Sequence, residues 1–383
     1  MKKIPVEDAI PCSGGLHRPI PRGGSHKKAA ALSAALLAAA LALTGCPGKP
    51  AEAAAASGQE AESTQLNIYC WTYYVPLSIR EKFEQEYGVT IVFDEYDSNE
   101  SMYTKIQAGG GGYDLVFPSG DFVSIMINQG MFEKIDHSRL SNLGNIDPLV
   151  LEKTAYDPKM EYSVPYYFGA AGIAVNTARV PNFEKSWSIF GRSDLRGRMT
   201  MLDDMREVMG DALVHLGYSV NSKNPAEIAA AHDLINHTWK PNLVKFDAEA
   251  PGKGFATGDF WVIQGYVEMV YEEISEEQKK DTVFFIPPEG GPAYIDSMCI
   301  LKGAEHPDLA HKFIDFIHRP DIYAEFTDYF GFPATVNVPA RALKTVTPYY
   351  TAEELLRTEL KDDLGEELER YNDVWFNSIR VGD

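Results

Sequence analysis

From Leu66 onward, short apolar runs alternate with stretches whose apolar positions recur every three or four residues. Leu66-Asn-Ile-Tyr-Cys-Trp71 is short, apolar and aromatic, which predicts a strand. Pro76 opens a predicted helix through Tyr87, with Ile79, Phe83 and Tyr87 on one face and Gly88 closing it. Val89 to Phe93 predicts a second strand, and Asp97-Ser-Asn-Glu100 has capping-box spacing for a helix to about Gln107. After the glycine turn at 109–112, Tyr113-Asp-Leu-Val-Phe-Pro118 predicts a third strand, and Asp121 opens a helix that Gly130 ends. Strands alternating with helices predict right-handed βαβ units and a parallel sheet. Ligands of such sheets bind beyond the carboxyl ends of the strands, where Trp71, Thr72, Tyr74 and Ser119 fall.

From Tyr162 to Asn176 the pattern changes to one extended apolar stretch broken by Pro165, Gly169 and Gly172, which predicts a crossing into a second lobe. There a strand from Arg198 to Leu202 stops at Asp203 and Asp204, and a helix follows with Val208, Leu213 and Leu216 at helical spacing. Asp203 or Asp204 stands at its N-cap, where an acid suits the positive end of the helix. Asp204 and Glu207 are one turn apart, so both carboxylates lie on one face. Two readings stand side by side: capping with a solvated acidic turn, or a paired-anion seat for a cation. Further on, a helix is predicted from Pro225 to Trp239, and strands from Phe260 to Tyr266 and Val283 to Ile286; Ala293-Tyr-Ile-Asp296 then leads into an apolar run, Met298 to Leu301. Helices at about Asp308 to Ile317 and Asp321 to Tyr329 precede an acidic tail, Thr351 to Arg380, predicted to be helical.

The first 45 residues read as an export signal: Lys27-Lys28, an Ala- and Leu-rich run to Thr44, then Leu43-Thr-Gly-Cys46. The last four resemble the lipobox of bacterial lipoproteins, which implies a lipid on Cys46. A plain export signal or a membrane-spanning helix are the alternatives, and the run is short for a span. Residues 46–65, rich in Ala, Gly, Glu and Ser, cannot build a core and read as a tether. The net charge of −20 argues against nucleic acid and anionic membrane surfaces as partners. Removing the leader, with six bases and two acids, takes it to near −24. Cys70 and Cys299 lie inside apolar strand-like runs and are expected to be buried free thiols. No cysteine spacing suits a metal, and no cofactor is expected.

Several segments, in order along the chain, resemble the spermidine/putrescine-binding proteins of polyamine ABC importers. They are Tyr69-Cys-Trp-Thr-Tyr-Tyr-Val-Pro76, Tyr96-Asp-Ser-Asn-Glu-Ser-Met-Tyr103, Tyr113-Asp-Leu-Val-Phe-Pro-Ser119, Leu202-Asp-Asp-Met-Arg-Glu-Val208, Tyr294-Ile-Asp-Ser297 and Gly331-Phe-Pro333. The resemblance implies an α/β fold of the two-lobed periplasmic-binding-protein type II, with a ligand cleft between discontinuous lobes. By that pattern the first lobe is 66–170 with 296–338, and the second 171–295 with 339–383. It implies cleft roles for Trp71, Thr72, Tyr74, Ser119, Asp204, Glu207, Tyr266, Tyr294, Asp296 and Phe332. It also implies a periplasmic, lipid-anchored monomer that hands its ligand to permease subunits and is not an enzyme. Against the family pattern, Cys70 stands for a common Asn, Tyr266 and Tyr294 for tryptophans, and Phe332 for a tyrosine. Around Gly120-Asp121 a cleft tyrosine is replaced, so Asp121 either adds a negative group at the cleft or serves as an N-cap.

The residue types suit a polyamine, whose methylenes pack on flat rings while its ammoniums seek ring faces and carboxylates. Acids at two places would hold two separated ammoniums, Asp296 one end and Asp204 with Glu207 the rest. Other readings are a sensor or surface lipoprotein for another small cationic or amino compound, and an exported hydrolase using Asp204 and Glu207 as a carboxylate pair. Against the last, no nucleophile elbow, zinc motif or phosphate loop is present.

Overall fold

The structure is a computed structural model that describes residues 64–381; the leader, Cys46 and nearly all of the tether lie outside the described residues. Four strands come first: β1 (Gln65–Trp71), β2 (Thr90–Tyr96), β3 (Leu115–Val116) and β4 (Val164–Ala170). A second group follows: β5 (Gly172–Asn176), β6 (Met199–Met201), β7 (Leu243–Phe246), β8 (Val262–Gly265) and β9 (Thr282–Phe285). The long β10 (Pro292–Ile300) and the short β11 (Glu359–Leu360) complete the set. One sheet runs β11-β10-β3-β1-β2 with β4 also on β10; the other runs β7-β6-β8-β5-β9.

β1 pairs in parallel with β2 and β3, as the strand–helix alternation requires. Its inward residues Leu66, Ile68 and Cys70 are fully buried against Phe83 and, from the helix Pro307–Ile317, Phe313 and Ile314. Each such side chain contributes about 1.5–3 kcal/mol on burial. A separate core gathers Trp187, Met199, Trp239 and Trp375 around the second sheet. Cys70 and Cys299 are buried and free, on strands flanking β3.

The chain leaves the first sheet at Ala170 and enters the second at Gly172, with only Ala171 between. It returns through β10, whose first half pairs antiparallel with β4 and whose end pairs with β3. The register of β10 against β4 shifts between Asp296 and Ser297. Such an irregularity re-aims side chains locally, and Asp296 here forms an isolated bridge to Ser119.

Four expectations are corrected. The acidic tail is not one helix: Ala352–Leu355 and Glu367–Val374 are separate helices with β11 between them. Backbone bonds from Glu359 to Gly291 (3.1 Å) and from Lys361 to Ala293 (3.1 Å) pull this segment onto β10, and Gly365 turns the chain at φ 60°. The helix from Pro225 stays α-helical only to Leu234 and finishes in a wider π turn, Ile235–Trp239. The cap before Asn99 is Ser98, which accepts from the Ser101 amide, while Asp97 takes the Ser101 hydroxyl. Ser119, not Asp121, holds the N-cap position of the helix Gly120–Asn128.

His318 closes the helix Pro307–Ile317 as a fully buried ring, parallel to Tyr323 at 6.1 Å. Burial lowers its pKa to about 4. The unfolded chain takes up this proton near pH 6.5, whereas the folded one resists until about 4. The group therefore stabilises the fold above about pH 6.5, and that contribution is lost progressively as pH falls toward 4, up to roughly 3 kcal/mol. Denaturant titrations at about pH 7 and pH 5 should show a smaller drop for His318→Gln than for the parent chain. Equal drops would refute this account of the acid limb.

Candidate functional site

Asp296 is the point at which three parts of the chain meet. It is 3% exposed on β10. Ser119 Oγ donates to one carboxyl oxygen and Tyr74 Oη to the other, each at 2.6 Å. Tyr74 lies just past β1, and Ser119 just past β3. Asn99 fixes Ser119 by donating to its hydroxyl at 3.0 Å and accepting its amide at 3.2 Å. Burial raises the Asp296 pKa to about 7, while the two hydroxyls and Lys361 draw it down and Asp121 pushes it up.

The second acidic group begins the helix Met205–His215. Asp204 is its N-cap and accepts the Glu207 amide at 3.0 Å, while Asp203 pairs with Arg380. Glu207 is fully buried. Its Oε1 accepts from Tyr266 Oη at 3.1 Å and from Lys361 Nζ, and its Oε2 has no hydrogen-bond partner. Burial pushes Glu207 up and Lys361 pulls it back. Burial works against the charge of Lys361, yet Glu207, Asp204 and Asp121 together hold its ammonium protonated.

Lys361 was not found by sequence reasoning. A lone lysine in an acidic, apparently helical tail carries no signal; β11 is what delivers it, two residues of pairing that no periodicity reveals. Its side chain is only 8% exposed.

Two tyrosines join the acidic groups. Tyr266 is bonded to Glu207, and Tyr294 shares a strand face with Asp296 two residues on. Their rings meet edge to face at 5.5 Å. Gly169 makes room for this, because a Cβ there would come within 2.6 Å of the Tyr294 hydroxyl. Beside them, a cavity of about 240 Å³ is lined by Ser119, Asp121, Tyr156, Tyr294 and Lys361, among others. Asp121 is buried to 9% exposure, with Oδ1 unpartnered, and burial raises its pKa.

The remaining candidates are placed as follows. Trp71 is half-buried, donates Nε1 to the Phe117 carbonyl at 2.8 Å and packs on Tyr96 at 4.7 Å. Thr72 is exposed and turns both its amide and its hydroxyl to the Tyr96 carbonyl. Phe332 is not brought into this group; it is fully buried and stacks on Tyr167 at 4.5 Å. Among the described residues, no group of three or more His, Cys, Asp or Glu side chains could hold a metal. The arrangement can seat a cation at each acidic pole, with phenol rings between them for an apolar linker.

Residues 78–355 match the family model for bacterial extracellular solute-binding proteins. The chain is 34% identical over 329 residues to the spermidine/putrescine-binding periplasmic protein of Escherichia coli, aligning 84% of this chain and 93% of that protein. It is 32% identical to the putrescine-binding periplasmic protein SpuD of Pseudomonas aeruginosa, covering 79% and 88%. Among solved structures it resembles the Tp0655 (TpPotD) lipoprotein of Treponema pallidum, with TM-score 0.80 and 53% identity over 82% of this chain and 99% of that one. It also resembles the spermidine/putrescine ABC transporter substrate-binding protein PotD of Streptococcus pneumoniae, with TM-score 0.71 and 26% identity over 82% and 98%.

Removing one partner of a buried ion pair leaves the other charge uncompensated. Lys361→Met should therefore destabilise the ligand-free protein by about 3–5 kcal/mol. Adding Glu207→Gln to that variant should recover much of the loss. Denaturant midpoints that do not move for Lys361→Met would show that the pair is not formed in solution.

Proposed function

Because the chain belongs to the spermidine/putrescine-binding family of bacterial extracellular solute-binding proteins, we propose that it captures a polyamine in this cleft and delivers it to an ABC importer. The observation that carries the reading is a pair of acidic poles, buried Asp296 and half-buried Asp204 with buried Glu207, linked by the Tyr266–Tyr294 ring pair. A slender chain with an ammonium at each end fits that layout. An anion does not, and a neutral sugar leaves the carboxyls without a cation.

The magnitudes are sufficient. Charged hydrogen bonds contribute roughly 1.5–3 kcal/mol each and ring–cation contacts roughly 0.5–2 kcal/mol. Two anchored ends with two rings then exceed the ~8 kcal/mol of micromolar affinity, even after the ligand is ordered. Glu207 already shares one oxygen with Lys361, so Asp296 and Asp204 are the stronger anchors. Trp71 and Asp121 flank the ligand, and the two lobes, 66–170 with 296–338 and 171–295 with 339–383, close around it. The protein is exported, held to the membrane by a lipid on Cys46, and docks on permease subunits as a monomer. Its family consists of binding proteins, which removes the exported-hydrolase alternative.

A thermal-shift panel of putrescine, cadaverine, spermidine and spermine tests the ligand. At least one should stabilise by about 2.7 kcal/mol at a hundredfold excess over its Kd. Asp296→Asn should weaken that amine tenfold or more. Affinity should rise with pH through about 7, because the ammonium selects the ionised Asp296 and the empty site favours the neutral one. Stabilisation by an amino acid or sugar, with no response to any amine, would defeat the assignment.

A further inference from the structure

The cavity beside Tyr294 has a cation of the protein's own in its wall. Lys361 lines it together with Ser119 and Asp121. Its Nζ is paired directly with Glu207 Oε1, the oxygen to which Tyr266 Oη also donates at 3.1 Å. Both partners of the ion pair are shielded from water, with side chains 8% and 0% exposed. Screening is weakest for such a pair.

The backbone that carries Lys361 is held from both sides. Its amide donates to the Ala293 carbonyl at 3.1 Å, beside the strand that bears Tyr294 and Asp296. On the other side, Asn221 Nδ2 donates to the Leu360 carbonyl at 2.8 Å, and Asn221 Oδ1 accepts the Asp362 amide at 2.8 Å. Arg206 donates to the Asp362 carbonyl at 3.0 Å and to Asn221 Oδ1 at 2.8 Å. Arg206 and Glu207, neighbours on one helix, therefore grip Asp362 and Lys361, neighbours after β11. The frame that presents the acid also presents its cation. A lysine side chain is an ammonium on a flexible four-carbon stem, which is the chemistry of an aminobutyl arm. A ligand ammonium that reached for Glu207 would have to displace this arm or lie against a like charge, and specificity is commonly built on such repulsion.

We propose that Lys361 determines ligand specificity: it fills the Glu207 seat as a tethered stand-in for a ligand ammonium, so that the cleft takes diamines in preference to triamines. This rests on the polyamine reading above and deepens it, by naming the class of amine. The two ammoniums of putrescine meet Asp296 and Asp204. Spermidine brings a third positive group, for which the remaining acid is already taken.

Calorimetric titration of putrescine and spermidine into the parent, Lys361→Gln and Lys361→Arg reads the preference directly. The parent should bind putrescine about tenfold more tightly than spermidine, or better. Lys361→Gln keeps a hydrogen-bond donor for Glu207 and loses the charge; it should lower the ratio of spermidine Kd to putrescine Kd by about tenfold or more. Lys361→Arg keeps the charge and should keep the preference. A lysine with a structural role alone would weaken both amines alike and leave the ratio where it was. An unchanged ratio in Lys361→Gln, or a parent that favours spermidine, would overturn the proposal while the polyamine reading stands. The second of these is read on the parent, so it decides the matter even if Lys361→Gln does not fold. A parent that binds neither amine would overturn both.

Discussion

The buried carboxyl of Asp296, clasped by the Tyr74 and Ser119 hydroxyls, is the contact that organises the molecule. Taking a carboxyl out of water costs several kcal/mol unless it is hydrogen-bonded. Here the donors come from the ends of β1 and β3, and the acceptor from β10. The same contact therefore fixes where three distant segments converge and leaves a group whose charge is incompletely met. Two neutral hydroxyls suffice to bury it as an acid, and burial raises its pKa to about 7.

The second pole solves the same problem differently. Glu207 is more deeply buried than Asp204 and is given a cation of the protein's own, Lys361. One ammonium placed among Glu207, Asp204 and Asp121 softens their mutual repulsion in the absence of ligand. It does not satisfy every acid there, because Glu207 Oε2 and Asp121 Oδ1 keep no hydrogen-bond partner.

How much of this the sequence disclosed depends on how local each feature is. The helix opening at Asp204, with Glu207 one turn on, is written in consecutive residues and appears where the cap chemistry puts it. Tyr74 and Ser119 could be placed past strand ends and Asp296 named through the family resemblance, and their meeting depends on pairing β10 against β3 and β4, which no local pattern specifies. Lys361 was hidden by a tail whose composition reads as helix and whose few strand residues are recruited by a distant neighbour. Asp121 admits two readings from sequence, a cap or a negative group at the cleft, and Ser119 holds the cap position.

The crossing between the sheets has a mechanical meaning. β4 and β10 run side by side as a hydrogen-bonded ribbon, with Asp296 paired to Tyr167 within it. β10 is bonded to β11 and to β3 as well. The strand that carries Asp296 is therefore moored along most of its length, and its carboxyl is held at a fixed post.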